Sequence, residues 1–412
     1  MTFRGAGVGR LAPGVLLQAD ARSFSSALLR SRPIVAFMLV PFFKSSLFDS
    51  VPTLASLSNT LLVVEALLLG VLVLLCGFRD ASFGLLGLYF VWVHAVVPLL
   101  TERDGPSLYY MFQALGFFAL VLLGSRTARM PFLDVLSGTA AFMVLLNSLL
   151  LLFFPNGVTE TPNGAIWLFG IRTGFPLVVI PSIVFCLAYD CLSARGKWSL
   201  RTWVVVLAGS YAVLDQWVAT GIVQLVALWL LMVWMRSGRT IHPLWASLVV
   251  AGVALVIVLY RQVDLMGGVL GLLERDTTFT GRTEIWDEAI REIEGSPFLG
   301  LGGDSAVSVN GEVKALHSHW LFVAHEGGLI GLVLQVLAYG AAISALSRIR
   351  RLRVAGLLAA GVIVVLIGAI VEIQTYFPFV YGLLALAMTL GRDVQEANRS
   401  SLETRLPVRG ER

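Results

Sequence analysis

Long apolar runs follow one another along almost the whole chain, and most are long enough to cross roughly 30 Å of hydrocarbon as an α-helix. Twelve such runs lie near residues 33–48, 59–77, 82–100, 108–124, 131–154, 166–189, 199–214, 217–235, 243–260, 317–346, 354–372 and 374–390. The first is interrupted by Pro41 and Lys44, and the seventh and eighth are short. The pattern predicts an all-α, polytopic integral membrane protein with about twelve transmembrane helices.

The composition supports a membrane protein. Of 412 residues, 57% are hydrophobic and 14% are charged, whereas a soluble domain carries about 25% charged residues. In such a chain the net charge of +4 reports topology first, so we predict no nucleic-acid partner. Cys76, Cys186 and Cys191 have no paired spacing and fall in or beside apolar runs. They indicate core packing, and we predict neither a metal nor a cofactor.

The basic residues predict the orientation. If the N-terminus is cytoplasmic, 22 of the 30 Lys and Arg residues fall on the cytoplasmic side, as the positive-inside rule predicts. The predicted regions are a cytoplasmic tail at 1–32, spans one to nine at 33–260, an extracytoplasmic loop at 261–316, spans ten to twelve at 317–390 and a second cytoplasmic tail at 391–412. We predict that the first tail is a retained cytoplasmic segment and not a cleaved signal peptide, and that the second, from Arg392, is disordered.

The predicted extracytoplasmic loop contains one amphipathic helix. Residues 282–294 place their apolar positions, Ile285, Trp286, Ala289, Ile290 and Ile293, on one side,. Thr280 is a suitable N-cap, while Gly295 and Pro297 end the helix. A simple interpretation is a helix on the membrane surface with its apolar side towards the bilayer. That role is compatible with a functional site nearby.

Two cations in unusual places are candidate anion ligands. Arg282 lies in the first turn of the amphipathic helix, where a cation opposes the macrodipole but the free N–H groups attract anions. Together they would bind phosphate or diphosphate; the alternatives are an ion pair with Glu284 or Asp276, or full solvation. Arg172 lies six residues inside the run 166–189, where a charge is costly and usually faces a cavity or a partner.

Histidines follow at the point where the chain re-enters the membrane. His317 and His319 are two residues apart, a poor spacing for a metal pair on a helix. Either could be a neutral general base, or an interfacial side chain bonded to a carbonyl. The segment 372–376 is predicted to line the outer mouth. Glu65, in mid-span, is either a structural partner of a neighbouring span or part of a proton relay.

The glycine-rich segment 300–303 lacks the preceding strand and following helix of a nucleotide-binding loop, so we predict a turn. The ordered motifs around it are Thr280-Gly281-Arg282 with Trp286, then residues 297–302, then His317 with Leu321, then Glu326 with residues 328–331. This order resembles the O-antigen ligase and polysaccharide polymerase superfamily. The motifs cover about the last 150 residues; the remainder resembles the family in span number only.

The resemblance implies a metal-independent, inverting, membrane-embedded glycosyltransferase of GT-C-like fold. Such enzymes move glycan from an undecaprenyl diphosphate carrier to a hydroxyl of an acceptor glycan or lipid. They work at the outer face of the bacterial cytoplasmic membrane, in some cases with polysaccharide assembly proteins. By this resemblance Arg282 is the loop arginine and His317 or His319 the base. Arg172 and Arg275 are further candidates for binding the diphosphate or substrate.

The chain departs from the family pattern at two places. Members often read His-Ser-His-Asn with the second histidine active, which favours His319, whereas the spacing to Gly328 favours His317; the Asn expected after the active histidine is accordingly Trp320 or Ser318 here. Members also often carry Ser-Arg-Gly at the outer start of the eighth span, where this chain has Ala219-Thr220-Gly221. Two other classes therefore stay open: a transporter or flippase of lipid-linked saccharides, and a non-catalytic assembly scaffold.

Overall fold

The computed structural model describes residues 13–43, 51–78, 80–102, 106–161, 164–193, 197–259, 282–303 and 306–403. Its first helices are α1 Pro13–Arg30, α2 Arg32–Leu39, α3 Pro52–Leu75, α4 Ala81–Val91, α5 Val97–Thr101, α6 Leu108–Thr127, α7 Arg129–Phe153 and α8 Phe175–Leu192. The others are α9 Leu200–Asp215, α10 Ala219–Arg236, α11 Pro243–Leu259, α12 Arg282–Gly295, α13 His319–Arg348, α14 Arg353–Ala369 and α15 Pro378–Glu403. Two short antiparallel hairpins complete it, β1 Thr159–Thr161 with β2 Gly164–Ile166, and β3 Ala306–Val309 with β4 Glu312–Ala315.

The protein is an all-α polytopic membrane protein. Within the described residues, the helices long and apolar enough to cross a membrane are Pro52–Leu75, Ala81–Thr101, Leu108–Thr127, Arg129–Phe153, Arg172–Leu192, Ala219–Arg236 and His319–Arg348. A bent pair, Gln18–Arg30 with Arg32–Phe43, would make eight. Every predicted apolar run coincides at least in part with a helix, but several helices are shorter than a full span. The number twelve therefore stays a prediction.

The core lies in the helices that have neighbours on all sides. The residues of α8 are buried from Phe175 to Asp190, and most of α14 and the first half of α15 are buried as well. On α3, by contrast, large apolar side chains such as Leu67, Leu68 and Leu74 are more than half exposed. In water such a surface would be unstable, but against lipid it needs no covering. These exposed leucines of α3 therefore mark a bilayer-facing surface.

Three helices differ from the sequence-based expectation. The chain bends just before the first predicted span: α1, which occupies much of the predicted N-terminal tail, meets α2 at 87°. The sixth begins late, because Gly170 has a left-handed φ of 86° and Pro176 stands at the start of α8. At the other end, α15 continues to Glu403 although disorder was predicted from Arg392. That segment contains neither Gly nor Pro up to Glu403, so nothing in it breaks a helix.

Helix α13 is interrupted near its start. Gly328 has φ 61° and ψ −162°, so the helical path breaks there and resumes at the next residue. Another irregularity faces it, a π-helical turn Trp92–Val96 between α4 and α5. The Trp92 indole N–H donates to the Gly327 carbonyl over 2.8 Å. This bond satisfies a carbonyl near the interruption, as buried backbone groups require.

Candidate functional site

Two of the sequence motifs, residues 297–302 and Glu326 with residues 328–331, form one structural unit. It lies at the end of the helix bundle where the chain from Arg282 to Ser318 is found, and we call this end of the bundle the loop end. The turn at residues 297–302 runs along the interruption of α13 and is hydrogen-bonded to it on both sides. The backbone N–H groups of Leu301 and Gly302 donate to the carbonyls of His325 and Glu326 over 2.7 and 3.0 Å, and the Leu329 N–H donates to the Pro297 carbonyl over 2.8 Å. The turn thereby holds α13 at its interruption around Gly328.

Glycine is needed on both sides of this contact. A Cβ atom on Gly300 would lie 2.5 Å from the Glu326 carbonyl oxygen, and one on Gly328 would lie 2.6 Å from the Gly300 nitrogen. Both glycines also have positive φ, 78° and 61°, where a side chain is strained. The predicted turn is thus present, and its glycines allow two backbones to touch.

The amphipathic helix α12 matches its predicted length but packs against protein. Its buried Trp286 belongs to a cluster with Ile257 of α11, Leu321 of α13 and Ile370. The Trp286 indole N–H donates to the Leu316 carbonyl over 2.9 Å. The apolar face therefore covers the helix bundle instead of lying on the bilayer. Its expected N-cap, Thr280, lies outside the described residues.

A β-hairpin that the sequence analysis missed leads into the histidine segment. Asn310 and Gly311, at its tip, have φ of 53° and 82°, the left-handed values of a tight two-residue turn. Asn-Gly between two short alternating segments was the available signal. Strand β4 ends at Ala315, two residues before His317, so the hairpin and the Trp286 bond together position this histidine.

Arg282 is paired with a carboxylate from a distant part of the chain. Its guanidinium donates to the Val371 carbonyl over 2.9 Å and to Glu372 Oε1 over 3.2 Å. The two charged side chains are 18% and 8% exposed, so the pair is largely withdrawn from water. The sequence offered Glu284 and Asp276 as ion-pair partners of Arg282. The structure pairs Arg282 with Glu372 instead of Glu284, and Asp276 lies outside the described residues.

The same carboxylate is contacted from α10. Thr220 Oγ1 donates to Glu372 Oε1 over 3.4 Å. Thr220 occupies the place where the family resemblance expects an arginine, so the substitution replaces a charge with a hydroxyl at the Arg282 site itself. Gly221, beside it, leaves no room for a Cβ, which would lie 2.6 Å from Pro176. The small residue after the family's arginine position thus has a packing role here.

A cavity of about 640 Å³ opens at this place. His317, Glu372 and Tyr376 contribute to its polar wall, as expected for the segment 372–376, and Phe42 and Phe43 to its apolar wall. The residues that line it come from the 3-10 turn Val40–Phe43 after α2, the end of β4 and the segment after it, the start of α6, the approach to α8 and the segment between α14 and α15. A mixed polar and apolar cavity of this size is typical of a ligand site.

His317 is held in an unusual backbone conformation at this cavity. Its φ is 49°, a left-handed value that is uncommon for a residue other than glycine and often marks a functional position. Burial, and to a smaller extent the positive charge of Arg282, lowers the pKa of His317 from 6.5 to about 4. The imidazole is therefore neutral at pH 7 and able to accept a proton.

The other two histidines of this region have different surroundings. His319 is 0% exposed, and neither of its ring nitrogens has a hydrogen-bond partner among the described residues. Its ring packs beside Trp320 and Tyr339. His325 Nε2 lies 2.7 Å from Glu292 Oε2, which links α13 to α12. Of the three histidines, His317 alone lines the cavity.

The remaining predicted anion ligands are placed less directly. Arg172 lies in a short 3-10 turn before α8, at the first residue of the span Arg172–Leu192 and not six residues inside it as expected, and its side chain is exposed. The residues on either side of it, Ile171 and Thr173, line the cavity. Arg275 lies outside the described residues. Sequence reasoning also missed Tyr109 and Tyr110 at the start of α6, which line the cavity; two adjacent tyrosines at the edge of an apolar run were the available signal.

Fold and site together define a polytopic α-helical membrane protein in which side chains from distant segments meet at one cavity at the loop end. Residues 203–336 match the family described as O-Antigen ligase. The match includes Thr220, Arg282 and His317 and ends before Glu372. The chain is also 27% identical over 327 residues to the exopolysaccharide production protein ExoQ of Rhizobium meliloti (strain 1021), covering 72% of this chain and 73% of that protein. These matches confirm the resemblance to the O-antigen ligase and polysaccharide polymerase superfamily.

Proposed function

We propose that the protein transfers or polymerises glycan from an undecaprenyl diphosphate-linked donor onto an acceptor sugar hydroxyl. The reaction takes place in the cavity at the loop end, on the outer face of the bacterial cytoplasmic membrane. The observation that carries this proposal is that a neutral His317 and Glu372, the ion-pair partner of Arg282, line one cavity. The family match supports the reaction class.

The guanidinium of Arg282, which is paired with the cavity-lining Glu372, suits a diphosphate. Arg282 offers several N–H donors in a fixed fork, which matches phosphate oxygens. In this largely buried place an added anion interacts with it more strongly than in water. The incoming diphosphate replaces or shares the Glu372 contact. Arg172, exposed beside the lining residues, supplies a second phosphate contact by movement of its long side chain.

The proposed chemical step is an inverting displacement. The acceptor hydroxyl gives its proton to a ring nitrogen of His317 while its oxygen forms a bond to the anomeric carbon of the donor sugar. The bond from that carbon to the diphosphate oxygen breaks on the opposite face, and the electron pair leaves with undecaprenyl diphosphate. Arg282 stabilises the negative charge that develops there. The geometry favours His317 over His319 because His319 is sealed in the core.

The apolar wall of the cavity suits the lipid. Phe43 packs edge-on against Phe379, with ring centroids 4.6 Å apart, and both residues line the cavity. A polyprenyl chain gains by leaving water for such a surface. The relative's name refers to exopolysaccharide production, which favours polymerisation over ligation as the form of the reaction.

Surface polysaccharide profiles in a deletion strain test this proposal. The strain is complemented with wild type, Arg282→Ala, His317→Ala or His319→Leu, and the amount of each protein in the membrane is checked. Loss of polymer with single repeat units left on the lipid identifies a polymerase, and full-length polymer left on the carrier identifies a ligase. A normal profile from both Arg282→Ala and His317→Ala would contradict catalysis and favour a transporter or scaffold.

A further inference from the structure

An aromatic surface lines one side of the cavity. Tyr110, near the start of α6, and Tyr376, in the segment between α14 and α15, have ring centroids 4.4 Å apart with an interplanar angle of 51°. Both rings line the cavity, together with Tyr109 and Gln113 of α6. We call Tyr110, Tyr376 and Gln113 the tyrosine wall. Two elements distant in sequence thus present one amphipathic surface to the same space as His317.

Gln113 gives this wall a polar group that calls for a ligand. The side chain is 7% exposed, and its Oε1 atom has no hydrogen-bond partner among the described residues. Buried amides in proteins are nearly always bonded to something. Because Gln113 lines the cavity, the hydroxyl group of a bound ligand could donate the missing hydrogen bond to Gln113 Oε1.

The chemistry of the wall fits a sugar better than a polyprenyl chain. A pyranose ring has an apolar C–H face, which packs on an aromatic ring, and a rim of hydroxyl groups, which pair with amides and phenols. Tyrosine provides both an apolar face and a polar tip. A polyprenyl chain needs no hydrogen-bonding partner, and the phenylalanine side of the cavity, with Phe43 and Phe379, offers it an apolar surface.

We infer that the tyrosine wall is a glycan subsite that binds a pyranose ring during the reaction. This inference rests on the proposed function and adds where the sugar is held. Tyr110 and Tyr376 bind its apolar face, and Gln113 accepts a hydrogen bond from one of its hydroxyl groups. The sugar belongs to either the lipid-linked donor or the acceptor, since both carry the same chemistry.

Kinetics with purified protein in nanodiscs test the inference. The probe is the lipid-linked repeat unit extracted from a strain that lacks this protein. Donor and acceptor are varied separately, and glycan-free undecaprenyl diphosphate serves as a competitor. The variants are Tyr110→Phe, Tyr110→Ala and Gln113→Leu. Tyr211→Ala is the matched control, because Tyr211 is an exposed tyrosine on α9.

Tyr110→Ala is expected to raise KM for one of the two glycans about tenfold, and Gln113→Leu about fivefold. Tyr110→Phe keeps the ring and stays within about twofold of wild type. The substrate whose KM changes identifies the bound sugar. Inhibition by glycan-free undecaprenyl diphosphate is expected to stay the same in all three variants. If Tyr110→Ala does not fold, the Gln113→Leu result decides alone.

Two results would overturn the subsite. The first is an unchanged KM for both glycans in Tyr110→Ala and Gln113→Leu while Arg282→Ala impairs turnover. The second is equal weakening of glycosylated and glycan-free carrier, which would place the lipid on the wall. Failure of the proposed function is distinguished from failure of the subsite by the wild-type protein, which would then form no product from the repeat unit.

Discussion

Replacing Gly328 by alanine tests whether the turn at residues 297–302 and α13 form one unit. Gly328 has φ 61° and ψ −162°, a backbone region that is essentially limited to glycine, and a side chain there costs about 1–3 kcal/mol. The new Cβ would also press against the Phe298 carbonyl and lie 2.6 Å from the Gly300 nitrogen. The turn must move away to make room.

Moving the turn breaks hydrogen bonds as well. Two that join it to α13 are those from Leu301 to His325 and from Leu329 to Pro297, and a typical hydrogen bond contributes about 0.5–1.5 kcal/mol. With the strain, the expected loss is roughly 2–6 kcal/mol. For a chain of 412 residues that corresponds to a fall in apparent melting temperature of roughly 2–7 °C.

The assay is thermal unfolding in nanodiscs, followed by tryptophan fluorescence, with glycan transfer measured in parallel. Gly340→Ala is the matched control, because Gly340 lies on the same helix and a Cβ there would meet nothing within 4 Å. This control is expected to melt at or slightly above the wild-type temperature, since alanine favours a helix. A Gly328→Ala protein that melts within about 1 °C of wild type and keeps full activity would refute the reasoning.

Three further predictions concern the surroundings of His317. Trp286→Phe leaves the buried Leu316 carbonyl without its 2.9 Å bond, at a cost of about 1–3 kcal/mol; we expect a lower melting temperature and slower turnover, and unchanged values would contradict the positioning role. Arg282→Lys cannot reproduce the two contacts of the guanidinium, so competition by undecaprenyl diphosphate should weaken about tenfold or more; wild-type competition would contradict a diphosphate ligand. Because the pKa of His317 is lowered to about 4, kcat/KM should be flat between about pH 6 and 8 and fall only below about pH 5. Arg282→Ala removes a positive charge that lowers this pKa, so the pKa of His317 should rise and any residual activity should begin to fall at a higher pH than in the wild type. An inflection near pH 6.5 in the wild type would contradict the assignment.

The sequence predicted what depends on local periodicity and composition. Apolar runs identified the helices, and the amphipathic pattern identified α12 almost to the residue. Arg282 and His317 were selected as chemically unusual residues in the right segment, and the structure places His317 at the cavity and Arg282 on Glu372, which lines it. Glu372, which was expected to line the outer mouth, lines this cavity, while the side of the membrane stays a prediction.

Contacts between distant segments were beyond sequence reasoning. The partner of Arg282 is 90 residues away, at Glu372, and no local pattern encodes that distance. The apolar face of α12 was expected on the bilayer because an amphipathic helix has the same sequence whether it covers lipid or protein. Arg172 was misplaced because hydropathy cannot show that Gly170 and Pro176 delay the helix. Nor does the sequence of either segment alone show that Tyr110 of α6 and Tyr376, in the segment before α15, form one wall.

Glycan transfer by purified protein in nanodiscs tests the central claim most directly. Wild type, His317→Ala and His319→Leu are each given the lipid-linked repeat unit, and product is measured after equal folding has been shown by melting temperature. The proposed mechanism predicts a loss of about a hundredfold or more in His317→Ala and near wild-type turnover in His319→Leu. Full turnover in His317→Ala together with loss in His319→Leu would contradict it and place the base in the buried histidine.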